Sequence, residues 1–321
     1  ASKILGIVLT KRANGGSDDA LAGFPHHSLD TYLPKLVRAG IRVAVCDQLE
    51  DPKATKGIVK RGVTDLITPG VAMHEHVLER KENNYLSAVH IERKRAGIAL
   101  LDISTGEFLV AEGTIDYIKK IIENLSPNEV LFSKPKYNLF KDNFGSKFYT
   151  YGIDEWVFNL DFAKEKIQNQ FNVKSLKGFG IDRLNLATIA SGVILHYLGE
   201  TLNEQTRHIR GISRIDQDDF VWLDNFTIKS LELVSSDHPD AVTLLDIIDK
   251  TITPMGGRML RKWMILPLKD LEAINKRHSI VDEFLKNENN IFEIRKQLKD
   301  FGDIERIISK ISIGKVSPKE L

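Results

Sequence analysis

Between Leu29 and Val37 the apolar residues Leu29, Tyr32, Leu33, Leu36 and Val37 recur at i, i+3, i+4, i+7 and i+8, the spacing of one helix face. Ser28 is placed to cap that helix and Gly40 to stop it. Ile41, Val43 and Val45 then alternate as a strand, and a polar loop from Asp51 to Gly57 leads into a second alternating run, Val59 to Ile67, closed by Thr68, Pro69 and Gly70. These elements predict a small α/β unit. The charged stretch from His74 to Asn84 reads as a helical linker.

From Tyr85 the pattern changes to three strands, Tyr85 to Ile91, Gly97 to Ile103 and Glu107 to Ala111, joined by short turns as an antiparallel meander. A helix bearing Ile115, Ile118, Ile122 and Leu125 follows. Next come a strand from Glu129 to Phe132, a strand near Lys147 to Tyr151, and a helix carrying Leu160, Ala163, Ile167 and Phe171. Three strands, helix, strand, helix is the order of a ribonuclease H-like sheet, closed by a long helix from Leu184 to Leu202 behind Asp182.

Beyond Asn203 the chain reads as helical: from Asp224 (Ile228, Leu231, Val234), from Thr243, from Thr253-Pro254, and from Asp270, Asn290 and Asp303. In the Thr253 helix, Met255, Met259, Leu260 and Trp263 form the predicted apolar face, with Arg258, Arg261 and Lys262 off it. The expected fold class is therefore multidomain: α/β plus all-α. Its boundaries are a partial mixed α/β domain over residues 1–70, a linker over 71–82, a ribonuclease H-like domain over 83–200, and a truncated helical core over 201–321.

A length of 321 residues suits two or three domains, and 42% apolar with 28% charged residues describes a globular chain. No apolar run reaches membrane-spanning length, and one cysteine, Cys46, allows no internal disulfide, so a cytoplasmic location is expected. A net charge of +1 exerts no global pull on nucleic acid, so a nucleic-acid contact needs a local cationic patch. Residues 1–70 supply one, with ten Lys and Arg against seven Asp and Glu. Within it Lys11 and Arg12, then Lys53, Lys56, Lys60 and Arg61, are the candidate phosphate contacts, although each alone reads equally well as solvated surface.

Other chemistry is poorly supported. Gly57, Gly62 and Thr64 have the spacing of a phosphate-binding loop, but Val63 stands where that loop needs lysine, and the run enters a strand rather than a helix. Asp102 and Glu107 lack a third acid on the first meander strand that would help hold paired Mg²⁺, and Asp102 reads as a turn residue beside Ser104, Thr105 and Gly106. A metal-dependent nuclease on the middle domain is therefore only a rival reading. His26, His27, His74, His76 and Cys46 show no paired-ligand spacing for a metal. No catalytic or cofactor-binding residue is assigned. Both ends look cut: Ala1 opens directly on an apolar pattern, and Ser317, Pro318, Lys319 and Glu320 form a helix start at the point where the chain stops at Leu321.

Several stretches together resemble the bacterial MutS family of DNA mismatch-recognition proteins. The most specific is Thr243-Leu-Leu-Asp-Ile-Ile-Asp-Lys-Thr-Ile-Thr-Pro-Met-Gly-Gly-Arg-Met-Leu-Arg-Lys-Trp263, similar to the family segment ending in Thr-Pro-Met-Gly-x-Arg-x-Leu-x-x-Trp. Supporting stretches are Leu9-Thr-Lys-Arg12, Ala22-Gly-Phe-Pro-His-His27, Asp47-Gln-Leu-Glu-Asp-Pro52, Thr68-Pro-Gly70, Leu101-Asp-Ile-Ser-Thr-Gly-Glu-Phe108 and Gly178-Phe-Gly180, in family order.

The resemblance implies a parent protein that encircles mismatched double-stranded DNA as a homodimer, kinks it, and uses ATP and Mg²⁺ to signal to MutL. It further implies that residues 1–70 are the remainder of the mismatch-binding domain, with Lys11 and Arg12 on the DNA backbone; Lys56 and Arg61 join them as DNA-binding candidates from the charge pattern. Residues 83–200 would be the connector facing MutL, and the stretch from residue 201 the core. The family's Phe-x-Glu wedge would lie upstream of Ala1, and its DNA clamp and ATPase downstream of Leu321, so this stretch is expected to be no enzyme by itself and to hold no cofactor. A MutS-like scaffold without a DNA role is the other rival.

Overall fold

The computed structural model describes all residues except 15, 16, 52–56, 74, 203–205, 239, 315 and 319–321, and all their side chains except those of residues 12–14, 17–19, 202 and 288. The chain begins with a short helix α1 (Ser2–Leu5) and an antiparallel pair, β1 (Leu9–Asn14) with β2 (Ser17–Ala22), none of which the apolar pattern announces. Helix α2 (Leu29–Arg38) follows as expected, and Gly40 ends it at φ +79°, a backbone state that glycine adopts without a Cβ clash. Ser28 occupies the N-cap but makes no side-chain cap bond; a 3-10 turn, His26–Ser28, leads in instead.

Strands β3 (Val43–Gln48) and β4 (Arg61–Ile67) pair antiparallel, with a bulge between Val45 and Cys46. Their inner residues Val43, Val45 and Ile67 pack on Leu33 and Val37 of α2, together with Ala72, Val77 and Leu78. The last two correct the expectation of a helical linker. Residues 75–84 form turns, not a helix. Val77 and Leu78 are adjacent rather than a turn apart, and the carbonyls of Glu79, Arg80 and Glu82 accept from distant arginines instead of from amides four residues on.

The middle unit is a six-stranded sheet. The meander of β5 (Tyr85–Glu92), β6 (Arg95–Asp102) and β7 (Glu107–Thr114) is extended beyond β5 by β8 (Glu129–Ser133) and β9 (Thr150–Ile153), both running parallel. Beyond β7 it is extended by the two-residue β10 (Ser213–Arg214), giving the order β10-β7-β6-β5-β8-β9. Successive side chains of a strand point to opposite faces, and both faces here are covered. Leu86, Ala88, Ala99 and Leu101 pack under α5 (Leu160–Phe171) and α6 (Asn185–Leu202). Tyr85, Val89, Ile98 and Leu100 pack under α3 (Ile115–Leu125) and α4 (Tyr137–Phe144). Helix α4 was not anticipated, although Tyr137, Phe140 and Phe144 carry its period.

The remaining helices are α7 (Asn225–Ser230), α8 (Leu244–Ile248), α9 (Pro254–Ile265), α10 (Leu271–Lys286), α11 (Glu288–Leu298) and α12 (Ile304–Ser312). The predicted caps at Asp224, Thr243, Thr253, Asp270 and Asp303 all accept amide hydrogens, and Thr243 with Asp246 completes a reciprocal capping box. Helix α7 stops before Leu231 and Val234, because Glu232 turns the chain at φ +49°. In α9 the expected apolar face is the wrong one. Met259 and Trp263 are 56% and 42% exposed, whereas Arg258 is 4% exposed.

Candidate nucleic-acid interface and the joint behind it

The predicted phosphate contacts fall on two separate hairpins. Lys11 lies on β1 opposite Ala20 and is exposed; Arg12 follows it opposite Asp19, with its side chain outside the described set. Arg61 opens β4 opposite Gln48 and is also exposed. Lys56 and Lys53 lie outside the described residues. The β3–β4 end is tied by the Leu49 amide on the Lys60 carbonyl at 2.9 Å, the Lys60 amide on Glu50 Oε2 at 3.3 Å and the Thr64 hydroxyl on Asp47 Oδ2 at 3.0 Å. Beside these groups Ile58 is 99% exposed. The hairpin thus presents Lys60 and Arg61 outward while its inner face is fixed to α2.

The hairpin unit is anchored to the middle sheet by one buried carboxylate. Glu129, at the start of β8, accepts from the Thr68 hydroxyl, from the Gly70 amide at 3.1 Å and from the Tyr197 hydroxyl at 2.7 Å. A Cβ on Gly70 would lie 2.8 Å from Glu129 Cβ, so the Thr68-Pro69-Gly70 turn approaches more closely than other residues allow. Arg42 lies over the Tyr151 ring at 3.8 Å; burial acts against its charge, but the contact with Tyr151 and, after it, the charge of Glu129 outweigh burial and favour the protonated form. Burial first, and then the Glu129 charge, raise the Tyr197 hydroxyl above its ordinary pKa and keep it a donor. A Glu129→Gln chain keeps an acceptor but loses the charge. It is expected to be less stable by about 1–2 kcal/mol, with faster amide exchange at Gly70 as the local readout.

A second, larger joint ties the middle unit to the helices. Asp102, fully buried at the end of β6, accepts from Asn83 Nδ2, the Asn84 amide, the Ser104 amide and the Ser104 hydroxyl at 2.6–3.2 Å. It is a turn anchor, as its sequence context suggests. Arg306 of α12 extends this network. Its Nε donates to Ser104 Oγ at 3.1 Å and its two terminal nitrogens to the carbonyls of Glu79 and Glu82 at 3.0 and 2.7 Å.

Arg258 of α9 makes a two-pronged pair with Asp303, both bonds 2.7 Å, and adds Glu305 at 2.6 Å and the Arg80 carbonyl at 3.0 Å. Lys81 reaches Asp249 at 2.8 Å, and Lys262 and Lys310 pair with Glu107 and Glu75. His208 bridges the Ile103 carbonyl at 2.7 Å and the Ser312 hydroxyl at 3.1 Å. Residues 75–84 therefore run as a strap whose backbone oxygens are held by arginines of two helices. Sequence reading missed Arg306 and Glu129 altogether and placed Arg258 on the solvent side. The available signal was confined to α12, where Arg306 lies one turn from its acidic cap Asp303; Arg258, in a helix capped by Thr253, has no acid within a turn of it.

Among the described residues no cluster of three or more His, Cys, Asp or Glu is arranged to hold a metal ion, and no helix is long and apolar enough to cross a membrane. The chain matches the family models described as MutS domain I over residues 1–76, MutS domain II over residues 84–210 and MutS domain III over residues 226–321. The chain belongs to the MutS family. Relatives named DNA mismatch repair protein MutS include one from Christiangramia forsetii, 53% identical, and one from Bacteroides thetaiotaomicron, 54% identical. Each matches all of this chain with 37% of its own length. The one from Cytophaga hutchinsonii is 52% identical over the whole chain and 38% of its own length. The chain thus spans a little over a third of these MutS relatives. In MutS terms, the carboxylate anchor at Glu129 joins domain I to domain II, and the arginine strap joins domain II to domain III.

Proposed function

We propose that this chain is the part of a DNA mismatch-recognition protein that seats on the backbone of mispaired double-stranded DNA and transmits its position to the rest of the protein. The observation that carries the reading is the unbroken succession of three MutS domains at 52–54% identity to DNA mismatch repair proteins. Lys11, Arg12, Lys56 and Arg61 supply the backbone contacts, which fix orientation without reading sequence. Residues 83–200 present the surface for MutL, and the helical stretch from residue 201 links the DNA end to ATP and Mg²⁺ chemistry elsewhere in a homodimeric parent. This stretch performs no catalysis itself. Kinking is easier where a mispair has weakened stacking, so DNA deformability contributes to recognition.

Fluorescence anisotropy with a labelled duplex across a salt series tests the reading. Phosphate neutralisation makes log affinity fall with log salt, and each lost contact shallows the slope by about 1. Lys11→Ala and Arg61→Ala are each expected to shallow it by about that amount on matched and mispaired duplexes alike. A slope near zero for the unaltered chain, or one insensitive to all four cations, rejects the DNA role.

A further inference from the structure

A cavity of about 400 Å³ opens beside the second joint, between the Thr105–Glu107 turn of the middle unit and helices α9 and α10. Phe220, Met255, Met259, Trp263 and Leu266 line it, with Arg277 at the Trp263 side. Its volume falls within the range of small-ligand sites, which are apolar pockets with a few convergent polar groups. Of the cations that line it, Arg258 faces two carboxylates, Asp303 and Glu305, and Lys262 pairs with Glu107, which leaves Arg277 as the lining cation without an acidic partner among the described residues. Arg277 makes no ion pair or hydrogen bond with any described residue; its guanidinium lies flat over Trp263, with 3.7 Å from its central carbon to the ring centroid.

We propose that this cavity binds a small monoanion with a flat apolar body, an aromatic carboxylate in chemical class. The one lining guanidinium without an acidic partner favours a single anionic group on the ligand, and its planar fork favours a carboxylate held by two parallel hydrogen bonds. The thioethers of Met255 and Met259, together with Phe220, favour an aromatic body, because polarisable sulfur packs well on rings. The same walls contain Glu107 of the middle unit and Met259 of the helical unit, so an occupant touches both sides of the joint. Binding to the joined form alone stabilises that form by an amount that grows with the logarithm of ligand concentration above Kd.

Titration calorimetry of the 321-residue chain with sodium 2-naphthoate near neutral pH tests the proposal, with 2-naphthylmethanol as the uncharged analogue. One saturable site is expected, at least about tenfold tighter for the acid than for the alcohol, the scale of one charge-assisted contact. Arg277→Gln should bring the acid down to the affinity of the alcohol. Met259→Trp, which fills the cavity, should abolish binding of both. Circular dichroism and an unchanged unfolding midpoint establish that each variant is folded. The proposal is overturned by the absence of a saturable site, by equal affinity for acid and alcohol in the unaltered chain, or by binding that survives Met259→Trp.

Discussion

An Arg258→Met chain is expected to lose about 3–5 kcal/mol in the unfolding transition of its helical unit, the cost of stripping the partner from a buried ion pair. Methionine nearly fills the space of the arginine stem, so the loss is not mainly a cavity effect. It comes from Asp303, whose carboxylate is half-buried and would keep only its helix-capping amide and the more distant Arg306 guanidinium. The double variant Arg258→Met with Asp303→Asn removes both charges and should recover part of the loss. A double-mutant cycle in urea, followed by near-ultraviolet circular dichroism, measures the coupling. Additive single losses would mean that the pair contributes nothing specific.

The same joint sets an acid limit. Burial acts to raise the pKa of Asp303, but the hydrogen bonds and charge of Arg258 outweigh it and hold the carboxyl below its ordinary value. A carboxyl with a depressed folded pKa contributes stability that is complete above the unfolded value, near 4. That contribution is lost as pH falls through the lower folded value. Acid titration should therefore release the α9–α12 contact below about pH 4, and Asp303→Asn should flatten that limb of the stability profile. His208 acts in the same direction at higher pH. Burial is the main cause lowering its pKa, and the ring bridges Ile103 and Ser312. Protonating it costs stability as pH falls below its unfolded value, about 6.5.

How much of this was legible depends on the range of the forces involved. The meander, α3, α5, α6 and the capped starts of α8, α9, α10 and α12 follow from periodicity and cap residues, which act over a few positions. Helix α4 was legible too, since Tyr137, Phe140 and Phe144 have helical spacing, but two neighbouring strands drew the reading past it. The strap over residues 75–84 was not legible. Its conformation is set by arginines more than 170 residues away, and without them its charged composition reads as a helix. Arg258 failed for a related reason. A helical wheel assigns arginine to solvent, and the partners that make burial tolerable, Asp303, Glu305 and the Arg80 carbonyl, are 45, 47 and 178 residues away. Of the DNA-facing candidates, Lys11 and Arg61 are exposed on their hairpins, but local pattern could not reveal that two separate hairpins carry them.

Gly97→Ala should be nearly as damaging, for a steric rather than an electrostatic reason. Gly97 lies in β6 where the first turn of α6 crosses the sheet, and a Cβ there would sit 2.2 Å from the Leu186 carbonyl carbon and 2.3 Å from the Ala187 nitrogen. Those are backbone atoms of a helix and cannot rotate away. The helix is also held at that point from the neighbouring strand. Glu112, the register partner of Gly97 on β7, accepts from the Leu186 amide at 2.8 Å and the Ala187 amide at 3.3 Å, placing a carboxylate at the positive end of α6. Relieving the clash means lifting the α6 terminus off Glu112 and opening the core formed by Ala187, Ala190 and Val193 against Ala99 and Leu101. The expected loss is about 3 kcal/mol or slightly more, the upper end for overpacking. Glu112→Gln, which weakens the tether without crowding it, should lose no more than about 1 kcal/mol. Hydrogen exchange can locate the damage: in Gly97→Ala the amides of Leu186 and Ala187 should lose protection before those of α3, on the opposite face of the sheet. Equal loss on both faces would place the strain in β6 itself rather than at the helix crossing.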